Sequence, residues 1–316
     1  MTLPRFLQQA PPAVAVDIAP GRVAVTRVER RGGAPLLSAH AVEPLPAGAV
    51  SGALGAPNMP DVGVVAAAVE RACAAAGGRA GHVCLVVPDS IARVSIVRFE
   101  TVPARAADLD ELIRWQVKKT MPFPLDEAVV AATPGAVAGD GKEYIVTVAR
   151  RDVVEQYEQA CARAGSHAGV VDLATFNVVN AVLAGERASR GDWLLVHAAP
   201  SYVSLAVLRD GHLIFYRTRG EESEGSIADL VHQTAMYYED RLQGRRFTRV
   251  LLAGASTHAG ADDLRRELSE RLGLEVAAVD PFAAASLAAG RPSPALADTL
   301  AAGVGLLLRE GGGQTS

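Results

Sequence analysis

The sequence predicts an α/β protein made of two duplicated lobes, with a smaller α/β unit inserted between them. Three observations carry this expectation. An order of three strand-like segments, a helix and a further strand occurs once in each half of the chain, the signature of an internal duplication. The first turns of the two halves also correspond, VDIAPGRVAV from Val16 and VHAAPSYVSLAV from Val196. Finally, 49% of the 316 residues are hydrophobic and only 5% aromatic, so the core is expected from Ala, Val and Leu. That length has room for two lobes.

The elements follow in order. Met1 to Pro12, with Leu3, Phe6 and Leu7 among polar residues, reads as a frayed tail. AVAVDI from Ala13, RVAVTRVE after Pro20-Gly21 and PLLSAHAVE after Arg31-Gly32-Gly33 are three antiparallel strands. A helix is predicted over Asp61–Ala76, with Asp61 as N-cap and Gly77-Gly78 as its stop. The run from Val83 to Pro88 is a buried strand. The second half repeats this with WLLVHA from Trp193, YVSLAVL from Tyr202, HLIFYRT from His212, a helix over Ile227–Leu242 and VLLAG from Val250.

Between the halves lies an expected insertion over 89–171. It comprises the strand IARVSIVRFE, a helix over Ala106–Thr120, the stretch MPFPLDE, a Gly-rich loop around Gly139–Gly141, the strand KEYIVTVA, a helix over Asp152–Ala164 and a short strand to Val171. The helix from Ala174 to Leu183 returns to the first lobe. Because each sheet must be covered by helices, two such lobes pack across a cleft lined by the first hairpin of each.

Composition excludes several function classes. With 31 Lys plus Arg against 35 Asp plus Glu, the net charge is −4, without the clustered excess that phosphate neutralisation on nucleic acid requires. Cys73, Cys84 and Cys161 have no CxxC pairing and read as small buried hydrophobes rather than a disulfide or zinc set. No apolar run reaches the roughly 18 residues of a membrane span, so a cytoplasmic chain reaching a membrane through a partner is expected. The histidines show no HExxH and no i, i+4 pair, and no P-loop occurs. Gly254-Ala255-Ser256 lacks the second glycine of a nucleophile elbow.

The chain resembles the actin-like PilM proteins of the type IV pilus inner-membrane platform. The resemblance runs through PPAVAVDI from Pro11, VVPDS from Val86, DLDELIRWQVKKTMPFPLDE over Asp108–Glu127, VVDLATFNVVNAV from Val170, LAVLRDGHLIFYR from Leu205, YYEDRL from Tyr237, LLAGAS from Leu251, LGLEVAAVDPF from Leu272 and AAGVGLLLR from Ala301. It implies an actin-like (ribonuclease H-like) fold. Lobe 1A would span 1–88 and 172–192 with a C-terminal helix at about 295–309, and the 1C-type insertion 89–171. Lobe 2A would span 193–294, and 310–316 would be a disordered tail. It also implies a protein that grips the cytoplasmic N-terminal tail of PilN, a single-span membrane protein, beside other pilus platform proteins.

The resemblance further implies an ATP and Mg²⁺ site, at positions equivalent to Asp17, Gly21, His197, Ser201 and Gly254. Such a site needs hairpins whose backbone N–H groups approach phosphate, and carboxylates around the ion. Here the first hairpin keeps Asp17 but has Ala19, Pro20 and, at the family's Lys, Ala24. The second has His197 for Asp, Ala199 for Gly and then Pro200. Proline offers no N–H, and neutral imidazole does not replace a carboxylate on Mg²⁺. Ala255 and Ser256 stand in place of further glycines after Gly254. Only RGEESEGS, Arg219 to Ser226, fills the interval where the family usually carries the helical subdomain 2B. The expectation is a pseudo-ATPase with a degenerate site and no cofactor. The alternative is a working actin-like ATPase driving a pilus or type II secretion machine. Asp17 can instead brace its turn, His197 fill a tight hairpin, and Asp172 begin a helix.

Pro122 and Pro124 fix an extended backbone that presents Met121, Phe123 and Leu125. With Trp115 they are the expected contacts for the PilN-like tail, in a groove between 1A and 1C. The other reading makes them the small core of the insertion.

Overall fold

The computed structural model describes residues 12–138, 141–185, 191–220, 225–257 and 260–312. The chain opens with β1 (Val14–Ala19), β2 (Arg22–Arg31) and β3 (Ala34–Pro44), an antiparallel meander. Helix α1 (Val62–Ala75) crosses over, its N-terminus capped by the Asp61 carboxyl accepting from the Gly63 N–H at 2.7 Å, and β4 (His82–Val87) returns parallel to β1. A short 3-10 turn, Asp89–Ile91, leads into β5 (Ala92–Phe99), α2 (Ala106–Val117), β6 (Ala128–Ala138) and β7 (Gly141–Arg150). Next come α3 (Arg151–Arg163), β8 (His167–Leu173) and α4 (Ala174–Gly185).

The second half supplies β9 (Asp192–Ala199), β10 (Tyr202–Arg209), β11 (His212–Gly220), α5 (Ile227–Arg241), β12 (Arg249–Ala253), α6 (Ala261–Leu272) and β13 (Val276–Ala278). Strand β14 (Ser286–Leu287) and α7 (Pro294–Gly312) close the chain. Three sheets result, ordered β14-β3-β2-β1-β4-β8, β11-β10-β9-β12-β13 and β5-β7-β6. The two larger sheets repeat one topology, an antiparallel meander whose first strand pairs in parallel with the strand after the helix.

Strand alternation decides what each face covers. In β1, Val14, Val16 and Ile18 face a core shared with α1 and α3, while Ala15 faces the other lobe. In β9, Leu194, Val196 and Ala198 face the outer core of the second lobe, while Trp193 and Leu195 face inward. Between the two sheets lie α4 and α7, in one apolar cluster with residues of both. These helices cross closely enough that a Cβ on Gly305 would fall inside the Asn177 carbonyl oxygen. A glycine at that crossing is therefore a packing requirement.

Domain limits shift from those expected. Helix α3 packs on α1, and β8 extends the first sheet beside β4, so the inserted unit is the β5–β7 sheet with α2, not the whole of 89–171. Strand β14 pairs with β3, which returns the chain to the first lobe well before 294. Helix α7 runs to Gly312, past the expected end at 309, and residues 313–316 lie outside those described. The structure also adds β6, which Pro134 and Gly135 hide in the sequence. It is an edge strand, its register is irregular between Pro134 and Val137, and an edge position tolerates a missing N–H. The loop expected at Gly139–Gly141 falls mostly outside the described residues, as do 221–224 of the short 2B interval and nearly all of the N-terminal segment.

Candidate functional site

Among the described residues, two spaces lie between the lobes. The first lies where the hairpins β1–β2 and β9–β10 face one another and is lined by Asp17, Ala19, Pro20 and Arg22 on one side, and by His197, Ala199, Pro200, Ser201 and Tyr202 on the other. Gly254, Asp298 and Thr299 complete it. The structure thus gathers Asp17, His197, Ser201 and Gly254, and sets Gly21 at the adjoining turn with φ +81°. Its volume is only about 30 Å³, space for one or two waters.

The polar groups here are largely occupied by the chain itself. Arg22 Nη1 donates to Asp17 at 2.9 Å, and the Ser256 N–H donates to Asp298 at 2.9 Å. The Asp89 carboxyl, wholly buried, accepts from the Thr175 N–H at 3.0 Å, from the Thr175 hydroxyl, and from the Ser204 hydroxyl at 2.6 Å. Thr175 Oγ1 lies 2.7 Å from His197 Nδ1. Since its proton goes to Asp89, the network assigns the Nδ1 proton to His197, which donates to Thr175. Burial holds the imidazole below its ordinary pKa, against the opposing fields of Asp89, Asp17 and Asp298, so it is neutral near pH 7.

The glycine at 254 has a local reason. At φ +78°, a Cβ would stand 2.5 Å from the Ala198 carbonyl oxygen and 3.1 Å from the His197 ring. The space that a side chain at this position would need is taken up by β9. The Ser201 hydroxyl is buried without a partner among the described residues. Nor does any group of three or more His, Cys, Asp or Glu stand ready for a metal among those residues.

The second space is a cleft of about 540 Å³, within the range of ligand pockets. One wall is the outer face of the small sheet, Val129, Ala131 and Thr133 of β6 with Ile145, Thr147 and Ala149 of β7. The first lobe supplies Val87, Ile91, Leu173, Phe176 and Val179; the β10–β11 hairpin supplies Leu208, His212 and Leu213. At one side Arg309 of α7 is paired with Asp172 of β8. Burial raises the Asp172 carboxyl above its ordinary value, and Arg309 opposes the shift.

None of the four sequence-predicted contact residues lines this cleft. Met121, Phe123 and Leu125 pack against Val97, Ile113, Val117 and Val146 on the opposite face of the small sheet, and Trp115 is exposed on α2. Met121, Phe123 and Leu125 serve the core of the inserted unit, so the groove between the lobe and the insertion is on the other side of the sheet from where MPFPLDE pointed. The missed signal is in β7, where both alternating sets, Tyr144/Val146/Val148 and Ile145/Thr147/Ala149, are predominantly apolar. A sheet apolar on both faces, with one helix to cover it, leaves a face for something else.

Two duplicated α/β lobes around a central helix pair, with a small unit inserted in the first, define an actin-like fold. The chain belongs to the family of the type IV pilus assembly protein PilM, whose family model matches residues 15–240. Among solved structures it is similar to a chain of a PilM-PilN type IV pilus biogenesis complex, at 16% identity and a TM-score of 0.79, covering 96% of this chain and 99% of that one. Other matches are a protein of actin-like ATPase fold and unknown function from Bacteroides thetaiotaomicron, 8% identical, covering 89% and 95%, TM-score 0.49. The ethanolamine utilization protein EutJ from Carboxydothermus hydrogenoformans is 14% identical, covering 95% and 90%, TM-score 0.49.

Proposed function

We propose that this chain is a cytoplasmic scaffold of a type IV pilus assembly platform, that it binds the N-terminal tail of a PilN-like single-span membrane protein, and that it does so without nucleotide. The observation that carries this reading is the contrast between the two spaces: about 540 Å³ of apolar cleft beside about 30 Å³ at the expected nucleotide position. An extended peptide buries alternate apolar side chains in such a cleft. The solved relative's complex with PilN supports the choice of partner. Among the described residues no helix is long and apolar enough to cross a membrane, consistent with attachment through that partner.

Mg-ATP does not fit the residues present. Pro20 and Pro200 supply no N–H, Asp17 is committed to Arg22, and a neutral His197 bonded to Thr175 stands at the second carboxylate position. The short link from Gly220 to Ser226 supports the absence of a 2B-type subdomain. No step of the scaffold's work is therefore routed through ATP.

The test is a titration of the full chain with a synthetic peptide of the PilN-like tail. Ala131→Trp and Ile145→Arg, which fill or charge the cleft, are expected to abolish binding with the unfolding curve nearly unchanged, while Trp115→Ala leaves it as in the parent. Binding that survives both cleft variants removes this placement.

A further inference from the structure

The buried polar cluster is drawn from both lobes. Asp89, on the turn after β4, and Thr175, on α4, belong to the first; His197 and Ser204, on β9 and β10, belong to the second. Asp89, Thr175 and Ser204 have no exposed surface, and His197 almost none. Burying such groups is unfavourable unless their hydrogen bonds are complete. These are complete only with the lobes together, because separation strips Asp89 of the Ser204 hydroxyl and Thr175 of the His197 ring.

The same cluster adjoins the apolar cleft. Phe176, next to Thr175, lines the cleft and packs on Tyr216 with ring centroids 5.2 Å apart. The Tyr216 hydroxyl donates to Ser204 Oγ at 3.4 Å, and Thr218 Oγ1 lies 2.9 Å from the same oxygen. Tyr216 and Thr218 sit on β11, whose hairpin with β10 brings Leu208 and Leu213 to the cleft wall.

We propose that Asp89, Thr175, His197 and Ser204 form a side-chain lock that holds the second lobe closed on the first, and that this closure sets the shape of the tail-binding cleft. The proposal rests on the tail-binding reading above and adds its control: the chain's own side chains bridge the lobes beside the small space, lined by His197, where the resemblance expects a nucleotide. The four are positioning residues, since none of them lines the cleft.

The experiment uses the full chain with Thr175→Val, Ser204→Ala and both together, and with Thr175→Ser as the conservative control. Two quantities are read: backbone hydrogen exchange over residues 202–220 without peptide, and affinity for the synthetic PilN-like tail. Loss of the lock is expected to speed exchange in that hairpin and weaken the peptide by about tenfold, the scale of one buried hydrogen bond, with Thr175→Ser restoring both. Unchanged exchange overturns the lock, and faster exchange with unchanged peptide affinity overturns its link to the cleft. Should the parent chain bind no peptide, the tail reading falls, and the exchange data by themselves uphold or overturn the lock. If the double variant unfolds, the single variants carry the same comparison.

Discussion

The two interlobe spaces of this molecule have the same floor and opposite chemistry. Both are bounded by α4 of the central helix pair, Ala174 and Val178 reaching the smaller and Phe176 and Val179 the larger. At the hairpins, Asp17 and His197 line the same small space with their bonds taken up by Arg22 and Thr175. Behind the small sheet, Ala, Val, Ile and Thr side chains leave a cleft nearly twenty times larger, with Asp172 and Arg309 as its charged edge. The difference teaches that polar satisfaction closes a gap between lobes, whereas an apolar face with no matching surface opposite leaves a cleft.

The largest effect should come from removing the shared floor. Gly305→Leu drives a side chain into the α4 backbone, and a loss of at least ~3 kcal/mol, or failure to fold, is expected in urea unfolding. A smaller effect separates the closed space from the open one. His197 has a lowered folded pKa against an ordinary value of 6.5, so below that value the unfolded chain binds more protons than the folded one. Stability therefore rises with pH through this window and is lost as pH falls below about 6.5, with a slope of at most ~1.4 kcal/mol per pH unit. The groups facing the ring are Asp89, Asp17, Asp298, Arg22 and Tyr202. His197→Asn should flatten that slope in urea midpoints between about pH 5.5 and 7.5, while lowering overall stability; an unchanged slope assigns the titration elsewhere. The smallest effect belongs to the rim of the open cleft. Arg309 is partly exposed, so Arg309→Gln should cost ~1 kcal/mol or less by the same assay.

Much of the fold was legible because it is local. Alternation, the Asp61 cap and the Gly77-Gly78 stop placed the three-strand, helix and strand unit of each lobe within a residue or two, while α6, β13 and β14 were not foreseen. What was not legible is which sheet an element joins. Helix α3 and β8 follow the inserted strands in sequence, and only the pairing of β8 with β4 assigns them to the first lobe. Asp17 and His197, which line the small space from the two hairpins, were found through the family resemblance, whose pattern falls on the matching turns. Asp89, Thr175 and Ser204 were not, since they come from three elements more than 25 positions apart and meet only after the lobes close. Phe123 packs in the core of the inserted unit while Trp115 stays exposed, and the sequence does not separate the two, because a proline-flanked aromatic looks the same whether it meets a partner or a small domain's own core.

The central claim is that the chain's own side chains occupy the place of the nucleotide. Isothermal titration of the full chain with Mg-ATP tests it most directly. No binding heat is expected at millimolar nucleotide, because about 30 Å³ leaves no room and Pro20 and Pro200 each remove a backbone donor. Saturable Mg-ATP binding in the micromolar range would contradict it.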